Sequence, residues 1–246
     1  SAFLILRALL TGKEKYCLRL SEIRFDKRKA VGILQIGIPS AFQYSLFAFA
    51  NLFVQSSVNS FDHVLVEGNS AAANADPLVY DMMAAFYTAC SSFIAQNFGA
   101  RKKKRILQTY LICLFYSFIT SLVLGVGIYL ARYPFLYLFT SDKAVVEAGI
   151  TRLSIMALSY SASAFMDASI AASRGLGKTA VPTFVVVMGS CVFRIIWIYT
   201  IFAYFHTIQS LYILYVFSWG ITAIAENIYF FHVYRHTLTG KTESHL

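Results

Sequence analysis

Residues 107–131, LQTYLICLFYSFITSLVLGVGIYLA, form a long apolar run without a charged side chain. A helix needs about 20 consecutive apolar residues to cross roughly 30 Å of hydrocarbon, and this run reaches that length. It lacks the period-two alternation of a membrane β-strand, and a helix satisfies its own backbone hydrogen bonds in lipid. The run therefore predicts a transmembrane helix.

Similar runs lie on both sides of this one. The further predicted helices lie near residues 31–58, 77–98, 145–173, 181–204 and 209–234. The 246-residue chain is 58% hydrophobic and 13% charged, with a mean hydropathy of +0.61, which is well on the apolar side of soluble proteins. We predict an all-α integral membrane protein, a bundle of six transmembrane helices in contact with membrane lipid.

Positive side chains are concentrated in alternate connections between the apolar runs, for example in RKKKR at residues 101–105. The net charge of +9 therefore does not form one soluble basic face, and we expect no nucleic-acid partner. The other connections carry acids, including Asp62, Glu67 and Asp76 between the first two helices. The positive-inside rule then predicts a multi-pass protein of the plasma (cytoplasmic) membrane with both termini cytoplasmic.

The chain is predicted to have three parts. Residues 1–30 contain the end of a preceding helix and a basic cytoplasmic linker, residues 31–235 form the six-helix transmembrane lobe, and residues 236–246 form a cytoplasmic tail. The four cysteines and five histidines lack the spacing of a zinc site, a disulfide framework or a catalytic dyad. We therefore expect no metal site, no cofactor and no enzyme.

Five strings, taken in order, resemble a known family. They are IGIPSAFQYSLFAFANLFVQSSVNSF at 36–61, GNSAAANAD at 68–76, FIAQNFGARKKKR at 93–105, SRGLGKTAVPTF at 173–184 and CVFRIIWIYTIF at 191–202. Their order and spacing resemble the second half of the multidrug and toxic compound extrusion (MATE) family, and the resemblance covers nearly the whole chain. It implies one six-helix lobe of a twelve-helix transporter.

The resemblance also implies a function. Drugs or amphipathic, often cationic, metabolites would be exchanged for Na⁺ or H⁺ through a central cavity between this chain and the N-terminal lobe of the same protein. One alternative is a lipid-linked precursor flippase of the same superfamily, which would need a strongly cationic cavity to hold phosphates. Another is a non-transporting membrane scaffold or an intramembrane enzyme, although no clustered nucleophile, base or metal set supports the enzyme.

The first predicted helix carries a stripe of amides. Gln43, Asn51 and Gln55 are separated by multiples of four residues, which keeps them within roughly a third of a turn of one another. We predict that they line a cavity, although the same amides could instead hydrogen-bond neighbouring helices. Some branches of the family carry a coupling-ion glutamate eight residues after the proline of this helix; here that position is Phe47, so this glutamate is missing.

The fourth predicted helix places Asp167 on one face with Arg152, Ser163 and Arg174. A charged carboxylate inside a membrane helix costs a few kcal/mol, so Asp167 must pair, protonate or meet water. Family members often carry an acid seven residues before the RG pair, as Asp167 precedes Arg174, and another branch carries it eleven residues before, here Ser163. Asp167 is therefore a predicted coupling site, and the alternative is a purely structural salt bridge with Arg194 or another basic partner on an adjacent helix.

Two further ionisable groups interrupt apolar runs, Arg194 in the fifth helix and Glu226 in the sixth. Each is costly to bury, and we expect Arg194 to pair with an acid. Asp81 opens the second predicted helix near the external face and is a weaker candidate, as is Ser163. The predicted substrate or cation pathway consists of Gln43, Asn51, Gln55, Asp167, Arg194 and Glu226.

Overall fold

Six helical stretches of the computed structural model are long and apolar enough to cross a membrane. The structure describes residue 7, residues 9 and 10, and residues 24–237. Within that part the spans are Lys27–Val58, His63–Gly99, Lys103–Leu130, Lys143–Gly175, Ala180–Phe205 and Ile208–His236. The predicted all-α membrane fold with six spans is confirmed, and only the second span begins far from its predicted position.

Residues 24–237 contain ten α-helices and two π-helical turns. They are α1 (Lys27–Val58), α2 (His63–Ala73), α3 (Ala75–Gly99), α4 (Lys103–Leu130), α5 (Arg132–Tyr137), α6 (Lys143–Gly175), α7 (Ala180–Val186), π1 (Val187–Val192), α8 (Phe193–Trp197), π2 (Ile198–Phe202), α9 (Ala203–Phe205) and α10 (Ile208–His236). All of these except α5 belong to the spans. The second span consists of α2 and α3, and the fifth runs from α7 through both π turns to α9.

The chain divides into two compact units, Ser1–Ile38 and Pro39–Leu246. In the first unit, the Asp26 side chain accepts hydrogen bonds from the backbone amides of Arg28 and Lys29 at 2.9 and 3.2 Å, which caps the start of α1. Most of the predicted linker, residues 1–30, and nearly all of the predicted tail, residues 236–246, lie outside the described residues. The predicted division into three parts therefore stays a prediction.

The connection predicted between the first two helices is wrong, because most of it is helical. Asp62 accepts a hydrogen bond from the backbone amide of Leu65 at 2.9 Å and starts α2, which carries Glu67. Asp76 lies in the first turn of α3. The acids suggested an exposed connection, whereas the alanines of GNSAAANAD favour a helix.

Helix α6 is the most buried of the six spans and packs against α2, α3, α4 and α10. Glycines let neighbouring backbones approach closely, as is common where transmembrane helices pack. A methyl group added at Gly68 would lie 2.7 Å from the carbonyl oxygen of Val145, and one added at Gly125 would overlap the carbonyl oxygen of Ala157. The central position of α6 therefore depends on these two glycines of α2 and α4, which place no side chain at the contact.

We expect Gly125→Ala to lower the free energy of unfolding by about 1–3 kcal/mol, since the methyl group must displace a backbone carbonyl of α6. Thermal unfolding in detergent micelles measures the change. Gly127→Ala is the matched control, because a methyl group there meets nothing within 4 Å and alanine is the better helix former. Equal stability of the two variants would contradict the close contact between α4 and α6.

Candidate functional site

A cavity of about 630 Å³ lies within the second unit, bounded by α1, α2, α3, α6, α8 and α10. Its polar lining residues include Gln43, Asn51, Gln55, Asn69, Asp76, Arg152, Asp167, Arg174 and Arg194. Five of the six residues predicted for the pathway are in this lining. Glu226 is not, and neither are the weaker candidates Asp81 and Ser163.

The buried Arg152 on α6 and the half-buried Asp76 on α3 belong to one hydrogen-bonded network. Nη2 of Arg152 donates to Oδ2 of Asp76 at 2.5 Å, and its Nη1 donates to Oδ1 of Asn69 at 2.7 Å. The Tyr160 hydroxyl donates to the other carboxylate oxygen of Asp76 at 2.5 Å. Sequence reasoning placed Asp76 in a connection and missed the network, although the position of Arg152 on the Asp167 face was a signal for it.

Arg174, at the other end of α6, contacts the first span. Its Nη2 donates to Oε1 of Gln43 at 2.8 Å, and the Thr183 hydroxyl donates to the same oxygen at 3.3 Å. This contact fixes the predicted amide stripe of α1 against the cavity. The Nε of Arg174 is buried and has no hydrogen-bond partner among the described residues.

Asp167 lies on the cavity wall, seven residues before Arg174 on the same helix, which corresponds to about 10 Å along the axis. It is half-buried. Among the described residues none donates a hydrogen bond to its side chain, and the arginines of the cavity wall on α6 and α8, Arg174 and Arg194, donate to neutral side chains instead. The proposed salt bridge with Arg194 is absent, because among the described residues that arginine has no carboxylate within 4.0 Å.

Arg194 is 2% exposed, and the expectation that it pairs with an acid is wrong for the described residues. Its Nη1 donates to Oδ1 of Asn51 at 2.8 Å, and its Nε donates to Oγ of Ser218 at 3.3 Å. The guanidinium carbon lies 4.5 Å from the ring centroid of Tyr215 and 5.4 Å from that of Phe47. Neutral amide, hydroxyl and aromatic groups therefore surround the cation.

Gln55 and the three candidates outside the lining are placed differently. Gln55 donates to Oδ1 of Asn59, one residue beyond the end of α1, at 2.9 Å. Glu226 is fully buried, and neither carboxyl oxygen has a hydrogen-bond partner in the described part of the chain. The Ser163 hydroxyl donates to the Tyr160 carbonyl of its own helix, and Asp81 is exposed.

The family model MatE matches residues 39–200, which is more than half of the chain. The chain belongs to the MATE family. This match includes α1 from its proline onward and continues through the cavity-lining part of α6 to Arg194 and π2. No curated protein matches the chain.

Solved structures share this MATE fold. A MATE transporter in the straight conformation superposes with a TM-score of 0.86 at 18% identity, covering 96% of this chain and 54% of that one. A MOP-superfamily transporter from Pyrococcus furiosus, described as having a binding pocket of reverse polarity, gives the same values. A variant of the Vibrio cholerae MATE transporter VcmN gives a TM-score of 0.79 at 17% identity, covering 96% and 53%. The MATE chain described here therefore spans about half the length of these structures.

Proposed function

We propose that this chain is the C-terminal lobe of a MATE exporter that exchanges Na⁺ or H⁺ for drugs or amphipathic metabolites. It would lie in the cytoplasmic membrane with both of its ends on the cytoplasmic side, and it would pair with an N-terminal lobe. The observation that carries the proposal is Asp167 on the wall of a cavity of about 630 Å³. A volume of roughly 300–1,000 Å³ is typical of sites for small molecules.

The position of Asp167 inside a membrane span supports the proposed coupling role. A charged carboxylate at this depth is costly, and a bound proton or cation lowers that cost. Neutralising Asp167 removes its electrostatic attraction for Arg174, which lies two turns further along α6. Arg174 in turn donates a hydrogen bond to Gln43 of α1. Ion occupancy would thus bias the contact between α1 and α6, which is how a coupling ion shifts an alternating-access equilibrium.

The aromatic side chains of the cavity support a flat or apolar substrate. Phe47, Tyr80, Tyr215 and Trp219 contribute to its wall, beside polar groups from α1 and α6. Binding sites for small molecules combine such apolar surfaces with a few polar groups that fix orientation.

Substituting Asp167→Asn in the complete transporter tests the coupling. We expect efflux driven by a Na⁺ or pH gradient across reconstituted vesicles to fall at least about tenfold, because an amide cannot change charge when the ion binds. Downhill movement of substrate without a gradient should persist. The readout is the initial rate of substrate efflux as a function of the imposed gradient.

Asp142→Asn is the matched control for this experiment. Asp142 caps the same helix by accepting from the backbone amide of Ala144 at 2.8 Å, lies outside the cavity, and asparagine caps a helix equally well. Gradient-driven efflux by Asp167→Asn at the level of this control would remove Asp167 from the mechanism.

The flippase alternative remains a second candidate, because three arginines contribute to the cavity lining. Arg152 is already paired with Asp76, and Arg174 shares its end of the cavity with Asp167. Movement of a polyprenyl-phosphate lipid between the leaflets of reconstituted vesicles, without efflux of soluble aromatic compounds, would favour the flippase.

A further inference from the structure

We infer that Arg194 is a recognition site for an acidic group, a carboxylate or a phosphate, carried by an aromatic or otherwise apolar transported molecule. The inference rests on the proposed transport function and specifies the charge of its substrate. It differs from the expectation that substrates are often cationic.

The first step is the charge balance of the cavity. Its lining contains Arg152, Arg174 and Arg194 but only two described acids, Asp76 and Asp167. The Asp76 carboxylate is paired with Arg152, with 2.5 Å between Oδ2 and Nη2. Neither Arg174 nor Arg194 has a carboxylate within 4.0 Å in the described part of the chain. Arg174 is half-buried and lies on the same helix as Asp167, whereas Arg194 is 2% exposed and lies on a different helix from either acid.

The second step is the cost of that arrangement. A buried cation at membrane depth is unfavourable unless an opposite charge or water compensates it. Asn51 and Ser218 accept hydrogen bonds from Arg194, and the rings of Tyr215 and Phe47 add cation–π attraction, but none of these groups carries a negative charge. An anion that enters the cavity would gain from this uncompensated charge, whereas a cation would be repelled by it.

The third step is geometry. A guanidinium has five N–H donors in a planar fork, which matches a carboxylate or phosphate through two parallel hydrogen bonds. The described residues occupy Nε and one Nη1 hydrogen, and Arg194 also contributes to the cavity wall. Asn51 and Ser218 therefore fix the orientation of the Arg194 guanidinium and leave its other N–H groups for the cavity. A side chain that is already ordered lowers the entropic cost of binding an anion.

The fourth step is the local backbone. Arg194 lies in α8, a segment of five residues between π1 and π2. Single π-helical turns inside α-helices are rare and are frequent at functional sites. Together with the rings of Phe47 and Tyr215, the site can take the acidic group and the flat body of one molecule.

A set of three probes with the same aromatic body tests the inference. They are 2-naphthylacetate, which is anionic, 2-naphthylacetamide, which is neutral, and trimethyl(2-naphthylmethyl)ammonium, which is cationic. Calorimetric titration of the complete transporter in lipid nanodiscs should give an acetate affinity at least about tenfold above those of the other two, as expected for charge-assisted hydrogen bonds. Equal or tighter binding of the ammonium probe to the wild type would overturn the inference.

Variants then assign the preference to one residue. Arg194→Gln should lower the affinity for the acetate about tenfold or more and leave that for the acetamide within about twofold. Arg194→Lys keeps the charge without the fork, and should retain the preference at an intermediate level. Arg132→Gln is the matched control, because Arg132 is half-buried on α5, donates to the Tyr129 carbonyl and does not line the cavity. An unchanged acetate-to-acetamide ratio in Arg194→Gln would contradict the inference.

The source of the acidic group and the transport function are tested separately. If a short-chain polyprenyl phosphate displaces bound 2-naphthylacetate and has the higher affinity of the two, the acidic group is assigned to a lipid-linked molecule, and the reverse order of affinity assigns it to a soluble one. If the anionic probe binds at Arg194 but no gradient drives its efflux, the proposed function fails and the binding site stands. If gradient-driven efflux is found only for cationic compounds, the transport function stands and this inference fails.

Discussion

Asp76→Leu is expected to lower the free energy of unfolding by about 3–5 kcal/mol, the largest effect that we predict for this lobe. The substitution leaves the buried Arg152 guanidinium without its carboxylate and removes the acceptor of the Tyr160 hydroxyl. It also removes the Asp76–Arg152 ion pair, which joins α3 to α6 at one end of the cavity. Unfolding of the reconstituted protein by a denaturing detergent, followed by fluorescence, measures the loss.

The double variant Asp76→Leu/Arg152→Met should recover most of this stability, because replacing both members of a buried ion pair by apolar groups is often neutral. Asp81→Leu is the matched control, since Asp81 is an exposed aspartate on the same helix. Wild-type stability of the single Asp76→Leu variant would show that the network does not hold α3 to α6.

Glu226→Met is expected to raise the free energy of unfolding by about 2–4 kcal/mol. The carboxyl group is fully buried, and neither oxygen has a hydrogen-bond partner in the part of the chain that the structure describes. Each unsatisfied buried polar atom costs about 1–3 kcal/mol, whereas methionine is apolar, unbranched and of similar length. An increase in the melting temperature of the variant in detergent would show this effect.

Glu147→Met provides the comparison for Glu226. Glu147 is exposed on α6, where it accepts from the Tyr133 hydroxyl at 3.4 Å, and its replacement should change stability by no more than about 0.5 kcal/mol. A loss of stability in Glu226→Met would mean that the buried carboxyl has a favourable partner, such as a bound cation, and would strengthen its place in the predicted pathway.

The sequence predicts the fold well because hydrocarbon imposes a simple constraint. Each span must be a long apolar helix, so length and composition locate six of them. The same constraint makes Gln43, Asn51, Asp167 and Arg194 stand out, since polar groups are rare within such runs. The second span begins earlier than predicted because Asp62 acts as a helix cap rather than as part of an exposed connection.

Pairings between helices are harder to predict. The contact of Arg152 with Asp76 joins residues far apart in sequence, and it depends on how α3 and α6 pack. The environment of Arg194 was also mispredicted, because its neighbours come from α1 and α10 and because a period of 3.6 residues does not describe π1 and π2. The sequence therefore identified which residues are candidates for the site, whereas the partners of those residues could be identified only from the three-dimensional structure.

Two π turns flank the short helical segment that carries Arg194. In each of them the backbone hydrogen bond reaches back five residues instead of four, which accommodates one more residue than an α-helical turn would. Because π1 absorbs this residue within its wider turn, deleting a single residue there, such as Gly189, would restore α-helical winding and leave Arg194 facing nearly the same way relative to α7. The same deletion in the α-helical segment α7 would rotate everything after it by about 100°. The azimuth of this arginine is thus tolerant of a one-codon deletion inside π1 but sensitive to one just upstream of it.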